Sequence, residues 1–332
     1  MEFKPEIIYS QSFNPWYNLA LEEYLLNGVS DNEVILYLWQ NDNTVVVGRN
    51  QNAWKECRCK LLEEEGGKLA RRLSGGGAVY HDLGNLNFTF LMKDSLYDLK
   101  HQLNVILNAV KMAGIEAEFS GRNDLVVQGK KFSGNAFYKA KGSSYHHGTI
   151  LVNSDFSKLM RYLQVSSDKI RSKGVDSVRA RVINLKEVNP DINIEKMKKL
   201  MEESFIKAYG DNIETSPEEI NPEKLPELDK LYQKYSSWEW RYGRTPEFDI
   251  KLVNRFDWGG IELNLALKNG VITESTIYSD AMESDLIRKI ASSLKGVPFR
   301  FGDINNRLTG LKEEEGKNII DDLLTWLKNK IS

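Results

Sequence analysis

The sequence predicts an α+β protein of two domains, a large one of mixed β-sheets with packed helices and a small α+β one behind it. Three observations carry this. Short β-rich runs such as Val34–Trp39 and Thr44–Gly48 are interspersed with helical patterns of apolar residues at three and four. The chain has 332 residues, 41% of them hydrophobic, enough to build more than one core. Between Asp211 and Asp229, prolines and glutamates gather while large apolar residues thin out, which is the composition of a connector or surface arm. The domains are placed at 1–245 and 246–332.

Taken in order, Ile7, Ile8 and Tyr9 form a first short strand, and Asn14-Pro15 opens a helix with proline at its first position. That helix, WYNLALEEYLLN, is apolar on most of its surface and should be covered, with Glu22 and Glu23 on its wetter side. Val34–Trp39 and Thr44–Gly48 are continuous apolar strands separated by a polar turn, so their sheet is expected to be buried. Trp54 through Glu65 reads as one helix closed by Gly66-Gly67. Leu86, Phe88 and Phe90 alternate with Asn87 and Thr89 as in a strand. Leu99, Leu103, Ile106, Leu107 and Val110 mark an amphipathic helix that ends at Gly114. Ile115–Phe119 should be a strand with one wet face.

Strand GKKFSGNAFY follows. A period of two places Lys131, Ser133 and Asn135 on one face and Phe132, Gly134 and Ala136 on the other, so with Phe132 in the core Lys131 projects from the sheet and Lys130 does not. Thr149–Val152 is a further strand. Arg179 and Arg181 alternate with Val178, Ala180 and Val182, as in a strand with a basic face that either grips an acidic partner or is simply solvated. Asn193–Tyr209 is an amphipathic helix. In the small domain, alternation over Ile261, Leu263, Leu265 and Leu267 leads to Asn269-Gly270, a tight-hairpin signal, and two helices follow.

The most constrained stretch is KLARRLSGGGAVYHDLGNLNFTF, Lys68 to Phe90. Three consecutive glycines are costly in an ordinary strand or helix, and they suit a loop whose bare amides meet an anion or a flat ligand. Arg71 and Arg72 beside them offer forks of donors for phosphate or carboxylate. A glycine-rich turn with two solvated arginines is the competing reading. No Gly-Lys-Ser/Thr ending follows, and the glycines do not alternate between a strand and a helix, so the usual nucleotide loops are excluded.

Composition narrows the function classes. A net charge of -2 gives no general reason to bind nucleic acid or membranes, and no apolar run approaches a membrane span. Cys57 and Cys59 form neither a disulfide framework nor a four-ligand metal set, and read as thiols of a reducing compartment. His146 and His147 are adjacent and diverge on a strand; four histidines without a His-Glu-x-x-His pattern argue against zinc. A cytoplasmic protein is expected.

The segments VVVGRNQNAWKEC, RRLSGGGAVYHDLGNLNFTF, GRNDLVV, KKFSGNAFY, HHGTILVN and WEWRYGRTPEF together resemble bacterial-type lipoate-protein ligases, in that family's order and over nearly the whole chain. The resemblance implies the fold shared by biotin and lipoate ligases, with a small C-terminal accessory domain. It implies ATP-dependent activation of lipoate to lipoyl-AMP with Mg²⁺, and transfer to a lysine of an acceptor. The acceptors it implies are apo lipoyl domains of 2-oxoacid dehydrogenase acyltransferase subunits or the glycine-cleavage H protein. Residue by residue, it assigns Arg71, Arg72, Gly75, Gly76, Gly77 and Ala78 to the loop that binds lipoyl-adenylate. Lys131 matches the lysine that contacts the activated acyl group, and Asn123 and Asp124 match the pair near the nucleotide, with Asp124 the candidate Mg²⁺ ligand. His81 and Asp82 are expected to shape the loop and pocket rim. Arg179 and Arg181 are candidates for steering an acidic acceptor, and a monomer is expected. Two rivals remain at this level: an octanoyl or lipoyl transferase that uses a protein-bound donor through a thioester, and a noncatalytic binder of acyl or nucleotide ligands.

Overall fold

The computed structural model describes residues 4–120, 124–164, 181–210, 214–216, 225–242, 250–268, 270–311 and 317–331. Asn123 and Arg179 lie outside them. The chain divides into two compact units: one comprises 1–47, 53–71 and 78–242, the other 48–52, 72–77 and 243–332.

The first unit contains β1 (Lys4–Tyr9), β2 (Glu33–Trp39), β3 (Thr44–Val47), β4 (Lys68–Arg71), β5 (Val79–His81), β6 (Asn85–Lys93), β7 (Glu118–Ser120), β8 (Asp124–Val127), β9 (Lys130–Ala140), β10 (Ser143–Leu151) and β11 (Glu214–Ser216). Eight of these form a mixed sheet in the order β11-β1-β2-β6-β10-β9-β8-β7, and β4-β3-β5 form a smaller one. In the larger sheet β1 is parallel to both its neighbours and the remaining pairs are antiparallel; in the smaller, β3 is parallel to β4 and antiparallel to β5.

Alternation in β6 sends Leu86, Phe88 and Phe90 into the main core against α4 (Leu99–Met112) and α7 (Ile194–Tyr209), where they meet Leu103, Ile106, Met201 and Phe205. Each such fully buried side chain contributes about 1.5–3 kcal/mol. Helix α1 (Pro15–Gly28) packs against β6, β10 and α8 (Pro226–Ser236), and the Asn14 side chain caps it by accepting the Trp16 N–H at 3.0 Å. The expected covering of this helix is therefore observed. Glu22 is a correction: it is 1% exposed rather than on a wet side.

Other expectations shift in detail. The helix expected over Trp54–Glu65 is broken into α2 (Ala53–Glu56) and α3 (Cys59–Glu64). The break occurs because Cys57 bridges to Leu163, which follows α5 (Phe156–Tyr162), while Arg58 N–H and Gln164 N–H complete the pairing at 2.8 Å each. The strand expected from Ile115 begins only at Glu118. The connector region holds β11, which pairs with β1, so part of it is sheet rather than a loose arm. Of the strand with a basic face expected over 178–182, residues 178–180 lie outside the described residues, while Arg181 is in a turn and Val182 makes a single bridge to Lys131; α6 (Leu185–Val188) follows.

The second unit's sheet comprises β12 (Ile250–Phe256), β13 (Gly259–Lys268) and β14 (Val271–Ser279), all antiparallel. Gly270 adopts φ +74 in the expected hairpin turn. Helices α10 (Ser284–Ser293), α11 (Phe301–Thr309) and α12 (Lys317–Lys328) cover one face, with Ile261, Leu263 and Leu265 packing against Ile287, Ile290, Ile320 and Leu323. Helix α11 is one more than the sequence pattern suggests, since its apolar residues are sparse; Ile304 and Leu308 alone are fully buried.

Candidate active site

Strand β9 carries Lys131 through an irregularity. Opposite β8, Leu125 pairs with Ser133 and Val126 with Lys131, so Phe132 is an extra residue on β9 and the alternation reverses there. Phe132 still enters the main core, as expected. The face assignment of Gly134, however, changes: a Cβ built on it would lie 2.8 Å from both Cε and Nζ of Lys131, so the two residues share a face. A bulge of this kind cannot be read from a strict period of two. Its effect is to lay the lysine stem across the bare Cα of Gly134.

The ammonium is held at the end of that stem. Lys131 Nζ lies 2.7 Å from Asp124 Oδ1, and Asp124 pairs with Gly134 across the sheet. Beyond the point where β10 leaves β9, the 181–183 segment takes up the free edge: Lys131 N–H donates to the Arg181 carbonyl at 2.8 Å, and Ile183 N–H donates to the Lys131 carbonyl at 2.9 Å. The structure thus brings Arg181 beside Lys131 by its backbone, with its side chain exposed. Lys130 lies at the turn end of the strand.

Polar groups buried on the α1 side of the sheet went unrecognised in the sequence. Glu22 Oε1 accepts from Thr89 Oγ1 at 2.7 Å and lies 2.8 Å from His147 Nδ1, while Trp39 Nε1 donates to Thr89 at 3.1 Å. A glutamate pair within a mostly apolar helix, together with the adjacent histidines, is the signal that could have revealed them. His146 points the other way, into the core, between Gln102 Oε1 and Asn135 Oδ1 at 3.0 and 2.8 Å. Burial lowers its pKa to about 3, with the neighbouring His147 charge contributing in the same direction.

His81 is buried, 3.1 Å from Asn41 Nδ2 and edge-on to Trp39. Asp82 accepts Gly84 N–H at 2.9 Å and Asp155 N–H at 2.7 Å. Both cysteines are buried as thiols, and the hydrogen bond with Cys59, reinforced by burial, pushes the Cys57 thiol far up. The same hydrogen bond pushes the Cys59 thiol the other way, and that side chain is closed off by burial.

Arg71 ends β4 in the first unit, and its guanidinium donates to the Trp240 and Arg241 carbonyls of α9 (Trp238–Arg241), with Nε 2.9 Å from the former and Nη2 2.8 Å from the latter. The glycine loop belongs to the second unit. There Gly76 adopts φ +86 and donates its N–H to the Ala281 carbonyl at 3.1 Å. Gly48 and Gly75 permit close backbone approaches that any side chain would block: a Cβ built on them would lie 2.2 Å from Gly76 O and from Ala281 O, respectively. The arrangement offers a cation fixed on a bare strand face and, separately, a loop of close-packed backbone. Both are features of anion and acyl-phosphate handling.

Residues 14–206 match the lipoyl protein ligase A/B catalytic domain, and residues 245–327 match the bacterial lipoate protein ligase C-terminus. The chain belongs to the bacterial lipoate-protein ligase A family. The lipoate-protein ligase A of Psychrobacter cryohalolentis is 43% identical over 98% of each chain. The crystal structure of P. falciparum LipL1 in complex with lipoate superposes with a TM-score of 0.86 at 35% identity, covering 97% of this chain and 99% of that one. An archaeal bipartite ligase, solved with its E2 lipoyl domain from Thermoplasma acidophilum, matches at a TM-score of 0.64 and 28% identity over 75% of this chain and all of that one. This lipoate-protein ligase activates lipoate with ATP and transfers the lipoyl group to a lysine of a lipoyl-domain or H-protein acceptor.

Proposed function

We propose that the ligase works through lipoyl-AMP, with Lys131 as the catalytic cation and 1–245 as the catalytic domain, 246–332 serving as its accessory domain. The observation that carries this reading is the Lys131 ammonium, set at 2.7 Å from Asp124 over the bare Cα of Gly134. In the first half-reaction a lipoate carboxylate oxygen bonds to the α-phosphorus of ATP and the bond to pyrophosphate breaks. Negative charge grows on the phosphoryl oxygens, and a fixed ammonium stabilises it without reorganising. In the second, the acceptor lysine amine attacks the acyl carbon, AMP leaves, and an amide remains. No protein nucleophile is needed, in accord with the burial of both thiols.

Mg²⁺ is held in such reactions by one or two carboxylates and the substrate phosphates. Among the described residues no group of three or more acidic, His or Cys side chains could hold a metal, which suits an ion delivered with ATP. Asp124 fits as its protein carboxylate, and the ion would supply charge neutralisation on the phosphates. Gly75, Gly76, Gly77 and Ala78 supply backbone to the lipoyl-adenylate, with Asn123 and His81 in supporting places. The arginines at 179 and 181 steer an acidic acceptor. The acceptor lysines belong to apo lipoyl domains of 2-oxoacid dehydrogenases or to the glycine-cleavage H protein. A cytoplasmic location accords with the two free thiols, and the ligase acts as a monomer in this reading; among the described residues no helix is long and apolar enough to cross a membrane.

Mixing enzyme, lipoate and ATP with Mg²⁺ and no acceptor tests the intermediate. Stoichiometric pyrophosphate and an enzyme-bound species with the mass of lipoyl-AMP are expected, and both should vanish with EDTA. Pyrophosphate release only when acceptor is present would contradict it.

A further inference from the structure

We propose that Arg71 and Arg72 are positioning residues that shape the glycine loop, and that neither guanidinium is a phosphate ligand. The inference rests on the reading of 75–78 as an adenylate-binding loop. Adjacent residues at a strand end diverge, and here they diverge to unlike tasks.

Arg72 folds back into its own loop. Its Nη2 donates to the Gly75 and Gly77 carbonyls at 2.7 Å each, and its Nε lies 3.0 Å from Ser74 Oγ and 3.2 Å from Gly75 O. The residue is 6% exposed. Between the two carbonyls stands Gly76 at φ +86, and a Cβ there would come within 3.0 Å of Arg72 Nη2. The loop is therefore wrapped around a guanidinium, which carries donors and no acceptor and so draws carbonyls inward. Turning alternate carbonyls toward an internal cation is what directs the remaining backbone of a short glycine run. Glycine is needed at 76 both for the left-handed conformation and for the closeness of the cation.

Arg71 fastens the stem. Its guanidinium takes the last carbonyls of α9, which have no partner within that helix, while Trp240 Nε1 donates back to the Arg71 carbonyl at 2.9 Å. The same strand is tied again by Trp16 Nε1, which donates to Leu69 O at 2.9 Å, and Arg241 lies over the Trp16 ring at 4.9 Å. Arg71 thus fixes the residue from which the loop departs.

Hydrogen exchange on the ligand-free full-length chain, read by mass spectrometry, tests both roles. Arg72→Ala should speed exchange in residues 73–78 by about tenfold to a hundredfold, the range for losing charged hydrogen bonds, and leave 238–241 unchanged. Arg71→Ala should speed exchange in 238–241. In Arg72→Ala, millimolar methylguanidinium should restore loop protection and adenylate formation together, and Arg72→Lys, which cannot bridge both carbonyls, should fall between the extremes. Unchanged loop exchange in Arg72→Ala overturns the proposal, as does rescue of adenylate formation without rescue of protection, which would make the guanidinium a phosphate contact. If Arg72→Ala does not fold, unchanged loop exchange in Arg72→Lys overturns it equally. Failure of the wild-type enzyme to form adenylate would instead refute the reading of the loop, leaving the exchange results to stand.

Discussion

Lys131→Ala is expected to abolish most adenylate formation while leaving the fold intact. The two halves of that expectation come from different geometry. The Lys131 and Asp124 side chains are 36% and 38% exposed, so their ion pair in the resting enzyme contributes only about 0–1 kcal/mol to stability. In the transition state the same ammonium faces charge developing on phosphoryl oxygens, where loss of one preorganised donor costs about 2.7–4 kcal/mol, or roughly 10²–10³ in rate. Lys130→Ala should cost far less, since that side chain is outside the Lys131, Asp124 and Gly134 cluster. Gly134→Ala adds a finer test: the new methyl would sit 2.8 Å from the lysine tip, which must swing away, and a displacement of this size should slow adenylation about tenfold or more. Single-turnover pyrophosphate release, with thermal unfolding measured in parallel, reads all three variants. Equal losses at 130 and 131, or a normal rate in Gly134→Ala, would refute the assignment.

Gly76→Val should damage lipoate activation much more than folding, because φ +86 resists a β-branched residue and its Cβ would crowd Arg72; normal adenylate formation by a folded variant would return the glycine triplet to a simple turn. His146, with its pKa lowered to about 3 from an ordinary 6.5, stays neutral in the fold while the unfolded chain takes up a proton. Its contribution is therefore complete above pH 6.5 and is lost as pH falls toward 3, at up to roughly 1.4 kcal/mol per pH unit. Chemical denaturation of the wild type and His146→Gln between pH 7 and 5 should show a shallower decline in the variant, and parallel declines would contradict the neutral histidine. Arg179→Glu with Arg181→Glu should slow transfer to the acceptor in a salt-dependent way while sparing adenylation; an unchanged second-order rate in stopped flow rules steering out, and a matching loss of adenylation would place the pair at the chemistry.

Much of this architecture was legible in the chain because local chemistry and tertiary context agree there. The alternation of Leu86, Phe88 and Phe90 names the core face of β6, and the Asn14-Pro15 cap starts α1. Strand parity with Phe132 in the core separates Lys131 from Lys130, and Phe132 is in the core. What could not be read were features set by partners distant in sequence. The break at Cys57 depends on Leu163, and the burial of Glu22 depends on Thr89 and His147. Gly134 was put on the wrong face because the bulge opposite Leu125 and Val126 adds one residue to a count of two. The arginine pair shows the same limit: donor chemistry was evident from residue type, but the identity of the acceptors, carbonyls of the loop and of α9, required the fold.

The central claim is tested most directly by intact-mass analysis of a purified apo lipoyl domain incubated with the enzyme, lipoate and MgATP. The account predicts one lipoyl mass increment, confined to the target lysine, dependent on ATP and lost in Lys131→Ala. Modification that proceeds without ATP from an acylated carrier protein, or no modification by an enzyme that still binds lipoyl-adenylate, would contradict it.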